Sequence, residues 1–558
     1  MMRRLAAAVG RWLLADRGRM LTGSTLALFV LVLLTATLRS TGITDDDDFY
    51  APAGIAYAGH TGRLLTFDAG AWKQPEIDRV FEQNREHPPF AKWVMGVCYY
   101  LFHRWSGLLP ALDAARMGVV LLATALAFFL ALFAHAWRGP LAAVVAVVAL
   151  FSMPRFFFHS HVATLDVPVA CLYFATAYAF WQSRRSALWA VMAGVVFGLA
   201  LLTKLNAPFA LVPIVVYLLL ERWRGFGRPE PGHFKLPAVP LGLISMLLIG
   251  PLLFFALWPR LWFDTFKRLG EYIGYHLNHY PIYFYYLGRL YDQPFAPWHA
   301  PFAMAFVTTP LILVAAAVIG LLGLRGFAAF WGVRSSDGEE SEEGARAVYV
   351  LLHALATIAT VAFLGSPKYG GVKLFLPFFP FVALLIAVGV DTAVDAVLRL
   401  RPGLARRRDW VQVAIGSLVL VPAAAAALSS HPFGLSYYGA GIGGLRGAAA
   451  IGFERQYYDV ADKELAAWLN REAPPGATIH FEPNNKEYLK TYRWLARDGY
   501  LRPDLKVVGD ANADYLVLTH ERRWSTYPDL AARYSRKPAL HEKRVDGVPL
   551  YTVYRGQP

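Results

Sequence analysis

TGSTLALFVLVLLTATL, Thr22 to Leu38, carries no charge and is about as long as a helix must be to cross a hydrocarbon core. Arg3, Arg4, Arg11, Arg17 and Arg19 precede it, and a run of four aspartates, Asp45 to Asp48, follows it. A second uncharged stretch, VQVAIGSLVLVPAAAAAL, covers Val411 to Leu428. The composition agrees, with 56% of the 558 residues hydrophobic and 17% charged, where a soluble domain carries about a quarter charged residues. Together these features predict an all-α polytopic membrane protein. The N-terminus resembles a secretory leader but offers no convincing small-residue cleavage site, and many spans follow, so it reads as an uncleaved anchor.

The net charge of +14 lies mainly in short loops, which is the positive-inside pattern rather than a basic face for nucleic acid. Cys98 and Cys171 sit in apolar surroundings and form no disulfide framework or metal-ligand spacing.

Placing the basic N-terminus in the cytoplasm sends the aspartates to the outer side. Pro88–Phe102 is short and broken by Lys92, and it reads as an interfacial helix. Spans then follow at about 114–134, 140–157 and 166–182, with two more flanking Lys204–Pro208 and leading to the basic loop Glu221–Lys235. The remaining spans fall at about 238–257, 301–324, 347–364, 374–392 and 411–428. With this threading Arg138, Arg184, Arg185, Arg325 and Arg406–Arg408 are all cytoplasmic, whereas counting Pro88–Phe102 as a span puts Arg184–Arg185 and Arg406–Arg408 outside. The expectation is about eleven spans in a module over 1–428, with long outer loops at 40–88 and 258–301. The second loop is dense in Trp, Tyr and His and is expected against membrane lipids at headgroup level. SSDGEESEEGAR, 335–346, reads as a cytoplasmic linker.

Beyond 429 the pattern changes. PPGATIHFEP, DLKVVGDANADYLVLTH and KRVDGVPLYTVYR read as short strands, and DKELAAWLNREA as an amphipathic helix. This predicts a small outer α/β domain over 429–558.

Chemistry-bearing residues gather on the outer side. The aspartate run serves as a solvated helix start, a cation-binding loop, or a general base at the interface. In REHPPFAKW, His87 and Lys92 either belong to an ordinary proline-started helix or face a headgroup phosphate. In MPRFFFHSHVATLDVP, Arg155, His159, His161 and Asp166 stand where two spans meet; the HxH pair leaves room for a divalent metal but lacks a nearby third ligand, so no metal residues are assigned. Lys204 lies at an outer helix end within an apolar run. Lys368, Tyr369 and Lys373 add cations and a hydroxyl to the same face, with interfacial anchoring as their simpler role. Acid or base groups beside phosphate-binding cations suit transfer of a group from a lipid phosphate to an acceptor hydroxyl. GIGGLRG, 441–447, lacks the context and spacing of a nucleotide loop, which favours a lipid-linked sugar over a nucleotide sugar as donor.

Several of these motifs resemble GT-C glycosyltransferases. Asp46-Asp47-Asp48-Phe49-Tyr50-Ala51 resembles their first outer loop, where an Asp-Glu pair precedes an aromatic. His87-Pro88-Pro89-Phe90-Ala91-Lys92 resembles the HPPLGK signature of protein O-mannosyltransferases, and Ala163-Thr164-Leu165-Asp166 their second-loop aspartate. Leu202-Thr203-Lys204 resembles the lysine turn of lipid A aminoarabinose transferases. The resemblance covers about residues 20–428. It implies that Asp46 is the catalytic base with Asp47 in the place of the glutamate, that His87 and Lys92 help hold the lipid phosphate, and that Asp166 shapes the donor or acceptor site. The aspartate run leaves the register open by one residue, and His161 stands where the mannosyltransferases carry an arginine. The implied function is an inverting transfer of mannose or another hexose or pentose from a polyprenyl-phosphate carrier to a protein, lipid A or envelope-glycan hydroxyl, by a protein of the inner membrane. The rivals are a transporter or flippase of lipid-linked sugars and a non-catalytic assembly protein acting through its C-terminal domain. A transporter calls for mid-membrane charge and repeated halves, and neither stands out.

Overall fold

A computed structural model of the chain describes residues 16–226, 239–278, 280, 282–291, 296–324, 338–363, 365–509, 512–521, 528–534 and 537–556. Arg3, Arg4, Arg11, Arg325, most of the basic loop 221–235 and the start of the 335–346 segment lie outside the described residues.

Every expected span coincides with a helix. Two are made of pieces: Pro140–Phe151 followed by Pro154–His159, and Ala300–Val307 followed by Leu311–Leu322 across a 115° bend. Length and composition alone qualify five helices as membrane spans, or six with the bent pair counted once. The expected count of about eleven therefore goes beyond what these criteria establish among the described residues. The reason is local. Pro140–Phe151, Ala187–Leu201 and Leu241–Ala256 have 12, 15 and 16 residues, too few at 1.5 Å per residue to cover the hydrocarbon alone. The break after Leu201 places Lys204, Leu205 and Asn206 in the wall of a cavity that Asp46 also lines.

The described part of the 335–346 segment corrects the linker expectation, because the helix Gly338–Ala362 begins within it. Glu-rich sequence is a good helix former, and Glu342 pairs with Arg346 one turn on at 2.7 Å.

Pro88–Phe102 becomes a helix of 10 residues, Phe90–Tyr99, running into a π-helical turn Tyr100–Trp105. It lies against the aspartate helix Asp45–Leu65 at a close crossing, where a Cβ added to Gly96 would sit 2.0 Å from the Gly54 carbonyl oxygen. Small residues at such a crossing let backbones approach, as in membrane helix packing. The aspartate helix itself starts in a capping box: the Thr44 hydroxyl accepts from the Asp47 amide, and the Asp47 carboxylate accepts from the Thr44 amide.

The aromatic loop holds the helix Thr265–Leu277 and a hairpin of β1 (Phe284–Tyr286) and β2 (Arg289–Tyr291). The C-terminal region contains β3 (Thr478–Glu482), β4 (Lys506–Val507), β5 (Tyr515–Thr519), β6 (Ala539–Val545) and β7 (Val548–Arg555) in the sheet order β4-β3-β5-β7-β6. The β3 strand is parallel to both neighbours, and β7 is antiparallel to both of its own. Helices Lys463–Glu472 and Asn485–Arg497 accompany the sheet. The second of these escaped the sequence reading, although it buries Tyr488, Thr491, Tyr492, Trp494 and Leu495 along one stripe.

This region is sewn to the membrane module. Ile43 and Ala461 exchange backbone hydrogen bonds of 2.9 and 2.6 Å, and the Asp45 amide donates to the Tyr458 carbonyl at 3.1 Å. The Trp494 indole N–H donates to Asp48 at 2.8 Å, and the Tyr500 hydroxyl to Asp113 at 2.8 Å. The aspartate run is thereby fixed between two bodies of the protein.

Candidate active site

The helical phase of the aspartate run separates its members. Asp47 turns inward and is fully buried. One carboxylate oxygen accepts from the Ala163 amide at 2.7 Å and Arg116 Nε at 3.0 Å; the other accepts from the Thr44 amide and hydroxyl, both at 2.9 Å, and Arg116 Nη2 at 2.6 Å. Burial alone would raise its pKa, but Arg116 and these donors outweigh it and hold the carboxyl below the ordinary value. Asp48 accepts the Trp494 indole, and Asp45 accepts the Asp46 amide at 2.9 Å.

Asp46 faces open space and is 8% exposed. It lies 3.5 Å from the ammonium of Lys373, which also sits over the rings of Tyr458 at 4.5 Å and Tyr369 at 5.1 Å. Burial raises the Asp46 pKa above the ordinary carboxylate value, with Lys373 and Lys204 pulling against it. Burial pushes Lys373 the other way, and Asp46 and Tyr369 outweigh it, so the ammonium is held more firmly charged than usual. Lys204 pairs with Asp166, whose second oxygen accepts from the Tyr458 hydroxyl at 3.0 Å. Opposite charges thus alternate around Asp46.

Two cavities meet there. An inner cavity runs between the span helices past Tyr173, Leu205, Phe209, Thr357 and Val361. An outer cavity opens between the aspartate helix, the aromatic loop and the C-terminal region. Asp46, Tyr50, His87, Tyr369 and Lys373 line both.

The other expected residues divide by what their side chains touch. His87 faces the shared space, packed edge-on against Tyr50 with ring centroids 5.7 Å apart and beside His276 at 5.4 Å. Burial, with His276 and Lys204 nearby, keeps its pKa well below the ordinary value. Lys92 does not reach the cavities: its ammonium donates to the Asn84 carbonyl and side-chain oxygens at 3.0 and 2.7 Å and to the His87 carbonyl at 2.7 Å. It braces the HPP turn from beneath, over the ring of Tyr57. Arg155 is buried against Tyr438 and Tyr457, with Nε donating to the Tyr437 carbonyl at 3.3 Å. His161 bonds the Thr37 hydroxyl and the Phe157 carbonyl, at 2.7 and 2.6 Å, and His159 the Tyr457 hydroxyl at 2.9 Å. Lys368 caps the Phe363 and Ser366 carbonyls, while Tyr369 beside it lines both cavities.

Lys373, read from sequence as an anchor, turns out to be the cation nearest Asp46. Tyr458 and His276 were missed altogether. Tyr458 and Asp459 adopt positive φ of 81° and 45°, a conformation uncommon outside glycine, and that strain is visible only in the backbone.

Residues 86–255 match the family model described as dolichyl-phosphate-mannose-protein mannosyltransferase. No curated protein matches the chain in sequence. Solved structures similar to it include ArnT from Cupriavidus metallidurans bound to undecaprenyl phosphate, at 16% identity and TM-score 0.46, covering 95% of this chain and 97% of that one. The apo form of ArnT gives 16% identity and TM-score 0.48 over 97% and 98% of the two chains. The Archaeoglobus fulgidus oligosaccharyltransferase tethered with an acceptor peptide gives 12% and 0.45 over 89% and 64%. The matched segment carries the HPPFAK turn, Arg155, Asp166 and Lys204, and over residues 86–255 the chain is similar to the dolichyl-phosphate-mannose-protein mannosyltransferases.

Proposed function

We propose that the protein moves a sugar from a polyprenyl-phosphate carrier to an acceptor hydroxyl at the outer face of the inner membrane. The observation that carries this reading is the meeting of the two cavities at Asp46, with Lys373 and Lys204 close by. The inner cavity, walled by span residues, receives the lipid-linked donor, and the outer cavity receives the acceptor. Asp46 accepts the proton of the acceptor hydroxyl as its oxygen bonds the anomeric carbon from the face opposite the phosphate. The bond from that carbon to the phosphate oxygen breaks, the electron pair stays on the phosphate, and the sugar is inverted. Lys373 and Lys204 stabilise the negative charge on the departing lipid phosphate, and neutral His87 donates a hydrogen bond to it. The proton on Asp46 then returns to solvent through the outer cavity. Asp47, with every oxygen occupied, holds the helix start in place and takes no proton.

The test uses full-length protein in proteoliposomes containing a polyprenyl-phosphate-linked sugar and an oligosaccharide acceptor, with release of polyprenyl phosphate as readout. Asp46→Asn is expected to cost on the order of 10²–10⁴ in turnover. Full turnover in that variant rules out the assigned base.

A further inference from the structure

The outer cavity has a lining unlike the inner one. Asp45, Asp46, Glu86, Asp459 and Glu487 place carboxylates along it, and the ammonium of Lys373 is already paired with Asp46. Lys490 reaches Glu487 at 2.9 Å and Asn84 donates to Glu86 at 2.8 Å, and the balance stays negative. Between the carboxylates stand the rings of Phe49, Tyr50, Tyr275, Tyr280, Tyr283 and Tyr458. His87 lines this space, and its buried Nδ1 has no hydrogen-bond partner among the described residues.

Ionised carboxylates accept hydrogen bonds and cannot donate them. A polyol or amino sugar presents many donors and matches such a wall, and its C–H faces pack on aromatic rings whose hydroxyls reach its edges. A peptide brings a backbone acceptor for every donor, and those carbonyls would face a wall of acceptors. A phosphorylated acceptor fares worse, because a cavity lined by one sign of charge focuses its field and repels its own sign.

Resting on the glycosyl-transfer reading above, we propose that the outer cavity receives the acceptor as an uncharged or amine-bearing carbohydrate. The carboxylates of Glu86, Asp459 and Glu487 take its hydroxyl or ammonium protons, the tyrosines hold its ring faces, and Asp46 waits at the inner end for the reacting hydroxyl.

Direct binding to the full chain in lipid nanodiscs tests this, followed by quenching of intrinsic aromatic fluorescence. The probes are an unphosphorylated glucosamine disaccharide, its bisphosphate, and an uncharged peptide rich in Ser and Thr. The disaccharide is expected to bind at least about tenfold tighter than either of the others. Glu487→Lys is expected to narrow the gap between disaccharide and bisphosphate by about threefold, and Tyr283→Ala to weaken the disaccharide about fivefold. Equal or tighter binding of the bisphosphate or the peptide overturns the proposal, as does failure of all three to bind. Binding of polyprenyl phosphate, the leaving product, is followed separately without acceptor. Its absence counts against the glycosyl-transfer reading, while the binding ratios decide the acceptor.

Discussion

Asp46 and Asp47 are neighbours in sequence and opposites in environment. Asp47 belongs to a buried pair with Arg116 in which both side chains have no exposure. Removing one partner of such a pair leaves an uncompensated charge and costs about 3–5 kcal/mol. Asp47→Asn is therefore expected to lower the melting temperature sharply, and Asp46→Asn to leave melting nearly unchanged while cutting turnover by a factor on the order of 10²–10⁴. Thermal unfolding and donor release measured on both variants separate the two roles, and equal destabilisation would contradict the assignment. The Asp47 pKa is depressed in the folded protein. Its stabilisation is accordingly present above the unfolded value of about 3.9 and is lost as pH falls through the lower folded value. Asp46 behaves in the opposite sense. Its raised pKa places the acid limb of the pH–rate profile above the ordinary carboxylate range, and activity falls as pH drops through it. Lys373 holds that pKa down, so Lys373→Ala is expected to move the acid limb to higher pH, with slower turnover on the plateau as well. An unmoved limb would show that another group sets it. The one-residue register could not be read from sequence, because four identical side chains carry no label; in the structure the helical phase turns Asp47 onto Arg116, Thr44 and Ala163 and leaves Asp46 lining the cavities.

At the scale of elements, the site depends on short helices held at close crossings. The aspartate helix and the Phe90–Tyr99 helix meet at Gly54 and Gly96, and a Cβ on either would run into backbone of the other, at 2.4 Å from the Lys92 carbonyl oxygen or 2.0 Å from that of Gly54. Gly96→Ala forces these helices apart at a cost of about 1–3 kcal/mol, and it shifts Asp46 relative to His87. Both a lower melting temperature and reduced turnover are expected. A variant that melts normally and turns over normally would mean that the crossing does not set the geometry. The span helices were legible in sequence because long apolar runs announce themselves, and HPPFAK because its prolines fix the chain. The role of Lys92 was not, since a lysine reads the same whether its ammonium meets a phosphate or three carbonyl-type oxygens of its own loop. The helix Asn485–Arg497 was obscured by its polar face, although its buried stripe has the helical period.

At the scale of the whole molecule, the C-terminal region forms part of the wall around Asp46. Its backbone pairs with the chain just ahead of the aspartate helix, and Tyr458 leans into the site with its hydroxyl on Asp166. Nothing in a linear reading connects residue 458 to residues 46 and 166, so sequence assigned this region to a separate domain whose role stayed open. The contact can be tested without dismantling the domain. Tyr458→Phe keeps the ring and its packing under Lys373 and removes the hydroxyl that bonds Asp166 and also acts on Asp46. A hydrogen bond to a charged group is worth about 1.5–3 kcal/mol, which corresponds to a loss of roughly 10- to 150-fold in kcat/KM if the bond is needed in the transition state. Trp494→Phe, which releases Asp48 at the same interface, serves as the comparison. If the region were only a scaffold, the two variants would lose activity in proportion to their loss of stability. If Tyr458 belongs to the site, its variant loses far more turnover than stability, and donor release at saturating substrate measured beside thermal melting reads the difference directly.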